Sequence, residues 1–261
     1  ELDALRTLAA QHGWRIIASP TNVGFGAGIE LGVNAAIAEG FEQLIFINPD
    51  VAINRDTLGA LHDQVVAEPM VMVSPKIVTN TGRVWFDGGS VDVTSGRVKT
   101  TGRADMAAPF AWLTGACLAI STQLWKRAGG FDPAYFLYWE DVDFSQRVTQ
   151  VGGRLLVRHD LEVIHDVGGT QGDGKSATYL RYNTRNRLLF AAKWLPTRAV
   201  RSWVRHTPAE SYRVLVRSGR KSLLQASMLR AVAAGTSQGV RAACAPKRYR
   251  RSSPALTGPA S

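Results

Sequence analysis

The stretch LIFINPDVAINRDTLGALHDQVVAEPMVMVS, residues 44–74, decides the fold class. Leu44 to Ile47 is a short apolar run with the pattern of a buried strand. It ends in Asn48-Pro49-Asp50, three residues that favour turns. A helix is expected over 56–67, and Met70 to Ser74 reads as a second strand. Working upstream, residues 3–12 read as a helix and Trp14 to Ala18 as a strand. A loop carrying Asn22, Gly24, Gly26 and Gly28 follows, then a helix marked by Ile29, Val33 and Ile37 that stops at Gly40. Strand and helix alternating at this spacing imply a parallel sheet with crossover helices. The expected class is α/β: a mostly parallel sheet with helices on both faces.

Downstream, residues 76–110 are rich in Gly, Thr and Val and read as a hairpin insertion. A strand is expected over 112–121, a short helix at Trp125 to Ala128, and late strands at Arg154 to Val157 and Val163-Ile164. Between them lies FLYWEDVDFSQRVTQVGGR, residues 136–154. Phe144, Val148 and Val151 fall at helical spacing, and Gly152 is placed to end the helix. Three carboxylates, Glu140, Asp141 and Asp143, therefore crowd a helix N-terminus, where the helix dipole favours anions. Phe136, Tyr138 and Trp139 stand just before them. Rings beside a fixed carboxylate suit a sugar, whose C–H face stacks and whose hydroxyl gives up a proton. Acidic capping of a helix explains one or two of the acids but not the aromatic run.

Composition bounds the function. The chain has 261 residues, 45% of them apolar, enough for a large core. Cys117 and Cys244 make neither a disulfide framework nor a zinc pattern. No run reaches the roughly 18 apolar residues of a spanning helix. The net charge of +10 is uneven: residues 196–261 hold 13 Lys and Arg against one acid, Glu210, whereas residues 1–195 sum to −2. The basic character belongs to the tail and concerns the tail's partners.

Taken singly, the motifs have plain readings. The glycine loop at 22–28 follows a strand and opens a helix, the setting of a phosphate cradle. Its spacing is not that of a dinucleotide fingerprint, and a tight turn explains glycines alone. Asn48-Pro49-Asp50 lies at the carboxyl end of an expected central strand, where open α/β sheets bind ligands. Asp50 there suits magnesium or manganese, which prefer oxygen ligands, although a turn explains the tripeptide as well. His165 closes a strand, and a lone imidazole proves nothing.

Together the pieces resemble the family 2 glycosyltransferases, inverting enzymes with a GT-A fold that use nucleotide sugars. The matching text is NVGFGAGIELGVNAA (22–36), LIFINPDVAI (44–53), WLTGACLAI (112–120), GGFDPAYFLYWEDVDFSQRV (129–148), VIHDVGG (163–169) and YNTRNRL (182–188). Six motifs in order are far more specific than any one, and they cover residues 14–190. Within the family the chain looks most like rhamnosyltransferases that act on polyprenyl-diphosphate-linked sugars.

The resemblance implies roles residue by residue. Asp141 matches the catalytic base and Glu140 its partner acid. Asp50 matches the last acid of a metal-binding motif whose first acid is replaced by Asn48, and His165 a histidine that completes the metal site. The metal would be Mg2+ or Mn2+. Asn22, Gly24, Gly26, Gly115, Ala116 and Arg185 would face the nucleotide-sugar donor, with Tyr138 and Trp139 stacking on a glycan or lipid-linked acceptor. It also implies that the family's first strand, with its base-binding acid, lies outside this chain. The expected organisation is a catalytic domain over 1–195, a basic amphipathic helical tail over 196–245 and a disordered end over 246–261. Apolar residues among the tail's bases point to an anionic membrane surface ahead of nucleic acid, and equally to a helix pair packed on the core with a solvated basic face. Membrane docking would put the protein on the cytoplasmic face of the membrane. Two other classes stand beside this one: a catalytically impaired, peripheral membrane-binding module and a nucleotidyltransferase.

Overall fold

The computed structural model describes residues 2–100, 102–165, 176–217 and 225–244. Helix α1 (Leu2–His12) precedes α2 (Phe25–Ala38), β1 (Gln43–Ile47), β2 (Val51–Ala52), α3 (Arg55–Ala67) and β3 (Val71–Thr79). The insertion forms β4 (Val84–Phe86), β5 (Gly89–Asp92) and β6 (Arg97–Lys99). Then come β7 (Ala111–Trp112), β8 (Cys117–Ser121), α4 (Thr122–Ala128), α5 (Glu140–Gln150) and β9 (Arg154–His165). The chain continues through α6 (Ala177–Trp194), α7 (Thr197–Arg217) and α8 (Ala226–Cys244).

The class is α/β as expected, and the sheet is mixed. Its order is β1-β8-β3-β9-β2, with β4 beside β3. Strands β1, β3 and β9 run the same way, as crossover helices require. Strand β8 slots between β1 and β3 in the opposite direction, so β3–β9 is the parallel pair and the others are antiparallel. Strands β3 and β8 are buried almost throughout, so both faces of the sheet centre are covered. Strand β1 alternates in burial and has β8 on one side only among the described residues, which corrects its expected central place. Residues 14–18 form no strand. A strand exists only through inter-strand hydrogen bonds, and here the segment is largely exposed, Trp14 at 57%.

The 76–110 insertion is two hairpins rather than one. The first, β3–β4, extends the main sheet, and the second, β5–β6, joins β7 in a small separate sheet. The strand expected over 112–121 is split, because residues 113–116 leave the ladder between β7 and β8. The two late strands are one bent strand, whose register against β3 shifts between Pro75 and Lys76.

Helix α5 is anchored by side chains. Ser145 Oγ accepts from Leu113 N–H (3.1 Å), and Gln146 Nε2 donates to Ala111 O (2.9 Å). Helix α6 is buried along much of its length and carries α7 and α8. The tail therefore packs on the domain. Trp203 of α7 is fully buried against Phe190 of α6 and Trp139, and its Nε1 donates to Val93 O (2.6 Å). Buried Arg187 donates to the carbonyls of Ser95, Gly96 and Trp203, tying the β5–β6 hairpin to α6 and α7. Burial without a bound carboxylate pulls this guanidinium down to about 10. The disordered end expected at 246–261 lies outside the described residues.

Candidate active site

A cleft of about 440 Å³ opens where β1, β4, the 113–116 loop, α5 and α6 converge. Sheet register explains its metal-type corner. The β2–β9 ladder pairs Val51 with His165, which sets the imidazole beside Asp50, the residue just before Val51. His165 Nε2 and Asp50 Oδ1 lie 3.1 Å apart. The imidazole is 7% exposed and is held edge-on by Trp85, with ring centroids 4.4 Å apart. Asn48 N–H donates to Ala116 O (2.9 Å), so the end of β1 and the 113–116 loop are tied together at the cleft wall.

The acid corner is built by the start of α5. Asp141 Oδ1 accepts from Val142 N–H (2.8 Å) and Oδ2 from Gly115 N–H (3.3 Å). Burial pushes this carboxyl up to about 6, against the lowering effect of those N–H donors. Glu140, 5% exposed, is pushed well above the usual carboxylate range by burial first and by the Asp141 charge second. Burial therefore raises both acids, leaving Asp141 at about 6 and shifting Glu140 toward its protonated form. The third acid is different. Asp143 is fully buried, which opposes ionisation, but Lys193 (2.8 Å) and Arg147 (2.9 Å) outweigh that and hold it below its usual value. Tyr135 Oη and Trp194 Nε1 also donate to it. Asp143 is a core ion-pair centre rather than a titrating acid of the cleft.

The entry into α5 is strained. Tyr138 (φ 68°) and Trp139 (φ 74°) both adopt left-handed backbone, which costs on the order of 1 kcal/mol or more for each such residue. Buried Asn186 meets them, its Nδ2 donating to Leu137 O (2.9 Å) and Tyr138 O (2.8 Å). Trp139 Nε1 donates to Asn183 Oδ1 (2.9 Å).

Nine residues singled out in the sequence line this cleft: Asn48, Asp50, Gly115 and Ala116 on one side, Tyr138 to Asp141 on the other, and His165. Four do not. Asn22 Oδ1 accepts from Gly24 N–H, forming the turn into α2. A Cβ on Gly24 would overlap Phe136 O, and one on Gly26 would crowd Phe131. These glycines serve close packing between α2 and the 131–136 segment; Phe25, between them, is what reaches the cleft. Arg185 donates to Ala134 O and to Asn186 Oδ1. Trp139 is a further correction. It is only 4% exposed, and its ring packs on Phe190 and Trp203, so its broad face is not free to stack on a sugar. Tyr138 lines the cleft half-buried, its ring at a steep angle to that of Tyr179 with centroids 4.9 Å apart.

Sequence reading passed over Trp85, Trp112, Tyr179 and Asn183, which also line the cleft. The signal for Asn183 lay in YNTRNRL, where Asn183 and Asn186 fall three apart on one helix face. Trp112 opens the WLTGACLAI motif, whereas nothing in the sequence marks Trp85, which arrives through the β3–β4 hairpin. Among the described residues, four buried side-chain polar atoms have no partner. Three belong to this cleft: Trp112 Nε1, Glu140 Oε2 and His165 Nδ1. Buried polar groups are almost always satisfied, so these three atoms have hydrogen-bonding capacity left for a ligand or water.

No family model matches this sequence. Over 84 residues, 32% of this chain and 27% of the relative, it is 32% identical to N-acetylglucosaminyl-diphospho-decaprenol L-rhamnosyltransferase of Mycobacterium tuberculosis (strain ATCC 25618 / H37Rv). Over 191 residues, 71% of this chain and 62% of the relative, it is 22% identical to the low-salt glycan biosynthesis hexosyltransferase Agl10 of Haloferax volcanii. The chain thus spans less than two thirds of the length of either relative. The crystal structure of GalNAc-T7 with UDP, GalNAc and Mn2+ superposes with a TM-score of 0.57 at 14% identity, over 88% of this chain and 46% of that one. The fold is that of the GT-A glycosyltransferases, and the sequence resembles rhamnosyl- and hexosyltransferases.

Proposed function

We propose that this chain catalyses inverting transfer of a sugar from a nucleotide-sugar donor to a glycan or polyprenyl-diphosphate-linked acceptor. The observation that carries this reading is the acid pair on a cleft wall bearing three unpartnered polar atoms. Burial raises both carboxyls, leaving Asp141 at about 6 and Glu140 pushed toward its protonated form. Asp141, aimed by Gly115 and Val142, takes the proton of an acceptor hydroxyl. That oxygen attacks the anomeric carbon, the bond to the diphosphate breaks on the opposite face, and the configuration inverts. Glu140, when protonated, donates a hydrogen bond to a substrate oxygen. Tyr138 packs on the acceptor ring.

Asp50 and His165 fit a divalent cation. One carboxylate and one imidazole face the same space, and His165 Nδ1 is buried without a partner. No group of three or more His, Cys, Asp or Glu converges among the described residues. Two protein ligands are nevertheless a common set where substrate phosphates and water complete the shell. Mg2+ or Mn2+ held there supplies positive charge to the leaving diphosphate. The relative's name, a rhamnosyltransferase acting on a diphospho-decaprenol-linked sugar, makes a 6-deoxyhexose donor and a lipid-linked acceptor the first choices to test.

Such an acceptor lies in a membrane, and among the described residues no helix is long and apolar enough to cross one. We place the protein on the cytoplasmic face, docked through the outer side of α7. There Arg198, Arg201 and Arg205 are exposed, as is Tyr212 at 61%. Of the tail's described apolar residues, Trp203 and Leu215 are buried while Tyr212 and Leu229 are exposed, and on α7 charge carries most of the attraction. The deciding experiment supplies a panel of nucleotide sugars and a polyprenyl-diphosphate acceptor and follows nucleoside diphosphate release. Release that needs acceptor and disappears in Asp141→Asn supports the reading. Equal release by that variant removes Asp141 from the chemistry.

A further inference from the structure

We propose that Asn186 is the positioning residue of this site: its amide holds the left-handed backbone at Tyr138 and Trp139 and thereby fixes where the carboxylate of Asp141 points. The inference rests on the reading of Asp141 as the base.

Local hydrogen bonds at the start of α5 run from Asp143 N–H to Trp139 O and from Val142 N–H to Asp141 Oδ1, on the helix side of the strained step. The N-cap is Trp139, whose side chain makes no capping hydrogen bond, and two successive non-glycine residues carry positive φ. Left to itself, such a segment relaxes toward ordinary backbone. The hold comes from α6, on the far side of the loop. Both Nδ2 hydrogens of Asn186 are spent on the carbonyls that flank the strained step, those of Leu137 and Tyr138, and the residue is fully buried. Its Oδ1 accepts from Arg185, which also grips Ala134 O in the same loop. One turn earlier, Asn183 accepts from the Trp139 indole. Only an amide of this length offers two donors and an acceptor at once.

Helix α6 is itself backed by α8, through Gly235 and Gly239. A Cβ at 235 would overlap Arg181 O, and one at 239 would press on Leu188 and Arg185 O. The grip is thus anchored in the C-terminal helices, and the chain from α8 through α6 to the loop ends at the first turn of α5. That turn bears Asp141, whose second anchor is Gly115 N–H.

Asn186→Ala removes both donors and leaves the carbonyls of Leu137 and Tyr138 unpaired. The test compares the wild-type chain, Asn186→Ala and the double variant Asn186→Ala/Tyr138→Gly. For each, kcat and donor KM are measured, and the carboxyl of Asp141 is titrated by carbon-13 NMR. Glu140, Tyr138, Asp50 and His165 share the cleft, and their titrations are followed in the same experiment. In Asn186→Ala, kcat is expected to fall roughly 10²-fold, the scale of a small misplacement of a catalytic group, with donor KM little changed. The Asp141 midpoint is expected to drop from about 6 toward an ordinary aspartate as water reaches it. Glycine accepts positive φ without a clamp, so the double variant should move the midpoint back up. Asn183→Ala, a milder loss, should shift it in the same direction by less.

A merely structural Asn186 would lower the melting temperature and leave both the midpoint and kcat of the folded variant unchanged, and that result overturns the proposal. So does a midpoint that drops in Asn186→Ala and stays down with glycine at 138. If the wild-type chain transfers no sugar at all, the glycosyltransfer reading fails, while the titration still decides what Asn186 holds.

Discussion

At the residue scale, two carboxyls that adjoin in sequence differ in what surrounds them. Asp141 keeps two backbone donors, and Glu140 has an oxygen with none. If Asp141 is the base, kcat/KM should lose activity on the acid side with a midpoint near 6, read from a pH–rate profile. Asp141→Asn should cost a factor on the order of 10² to 10⁴. Glu140→Gln keeps a neutral group where burial already favours the protonated carboxyl and should cost far less; a dead Glu140→Gln beside an active Asp141→Asn would reverse the assignment. The same shift has a stability consequence. Folding raises the Asp141 pKa from 3.8 to about 6, so the folded chain holds this proton more tightly than the unfolded one. The associated stability is fully present below pH 4. It is lost as pH rises from about 4 to about 6, and amounts to about 3 kcal/mol. Asp141→Asn, permanently neutral, is therefore expected to melt higher than wild type at pH 7 to 8 and close to it at pH 4, a comparison open to calorimetry.

At the scale of elements, two contacts decide whether the cleft holds together. Asp143 of α5 sits between Arg147 and Lys193 with no exposure. Replacing it with Ala leaves buried Arg147 without its carboxylate and Lys193 with Asp132 alone (2.7 Å), and breaking a buried pair in this way costs about 3–5 kcal/mol where it has been isolated. Chemical denaturation should show that loss, and Asp143→Ala should lose activity only through unfolding. The second contact is α8 on α6. Gly239→Val pushes a branched side chain toward Leu188 and the Arg185 carbonyl, and overpacking of this kind costs about 1–3 kcal/mol. The expected sign is lower thermal stability, together with a partial version of the Asn186→Ala phenotype.

For the whole molecule, charge and metal are the levers. With 13 bases and one acid after residue 195, and with Glu210 already paired to Arg97 and Arg213, the outer side of α7 should bind anionic vesicles at low salt. Each base near such a surface contributes about 1 kcal/mol. Reversing Arg198, Arg201 and Arg205 to Glu should abolish flotation, and raising salt should weaken it. Flotation that persists after the reversal would move the membrane contact elsewhere on the chain. Chelation should stop nucleoside diphosphate release, with restoration by Mg2+ or Mn2+ and a parallel loss in Asp50→Ala. Full activity in chelator would leave Asp50 and His165 as a plain hydrogen-bonded pair.

The sequence by itself determined the α/β class, most helices and strands of the core, and the acid pair, because periodic burial and clustered carboxylates are local facts. Asp50 and His165 were each visible as strand-end polar residues. What made them a pair was the Val51–His165 register, and register is a property of two strands rather than of either. The separation of Asp143 from its neighbours was likewise decided by Lys193, fifty residues downstream and unmarked in sequence. Tertiary structure also reversed the expected roles of Gly24, Gly26 and Trp139. Packing against Phe136, Phe131 and Phe190 uses the surfaces that a ligand would have needed. The strand expected at 14–18 did not form, since apolar alternation supplies a face but only a neighbouring strand supplies the hydrogen bonds. Which side chains line the cleft was settled when Trp85 of the β3–β4 hairpin, Trp112 of β7 and helix α6 came together with the acids, and a one-dimensional pattern carries no record of that contact.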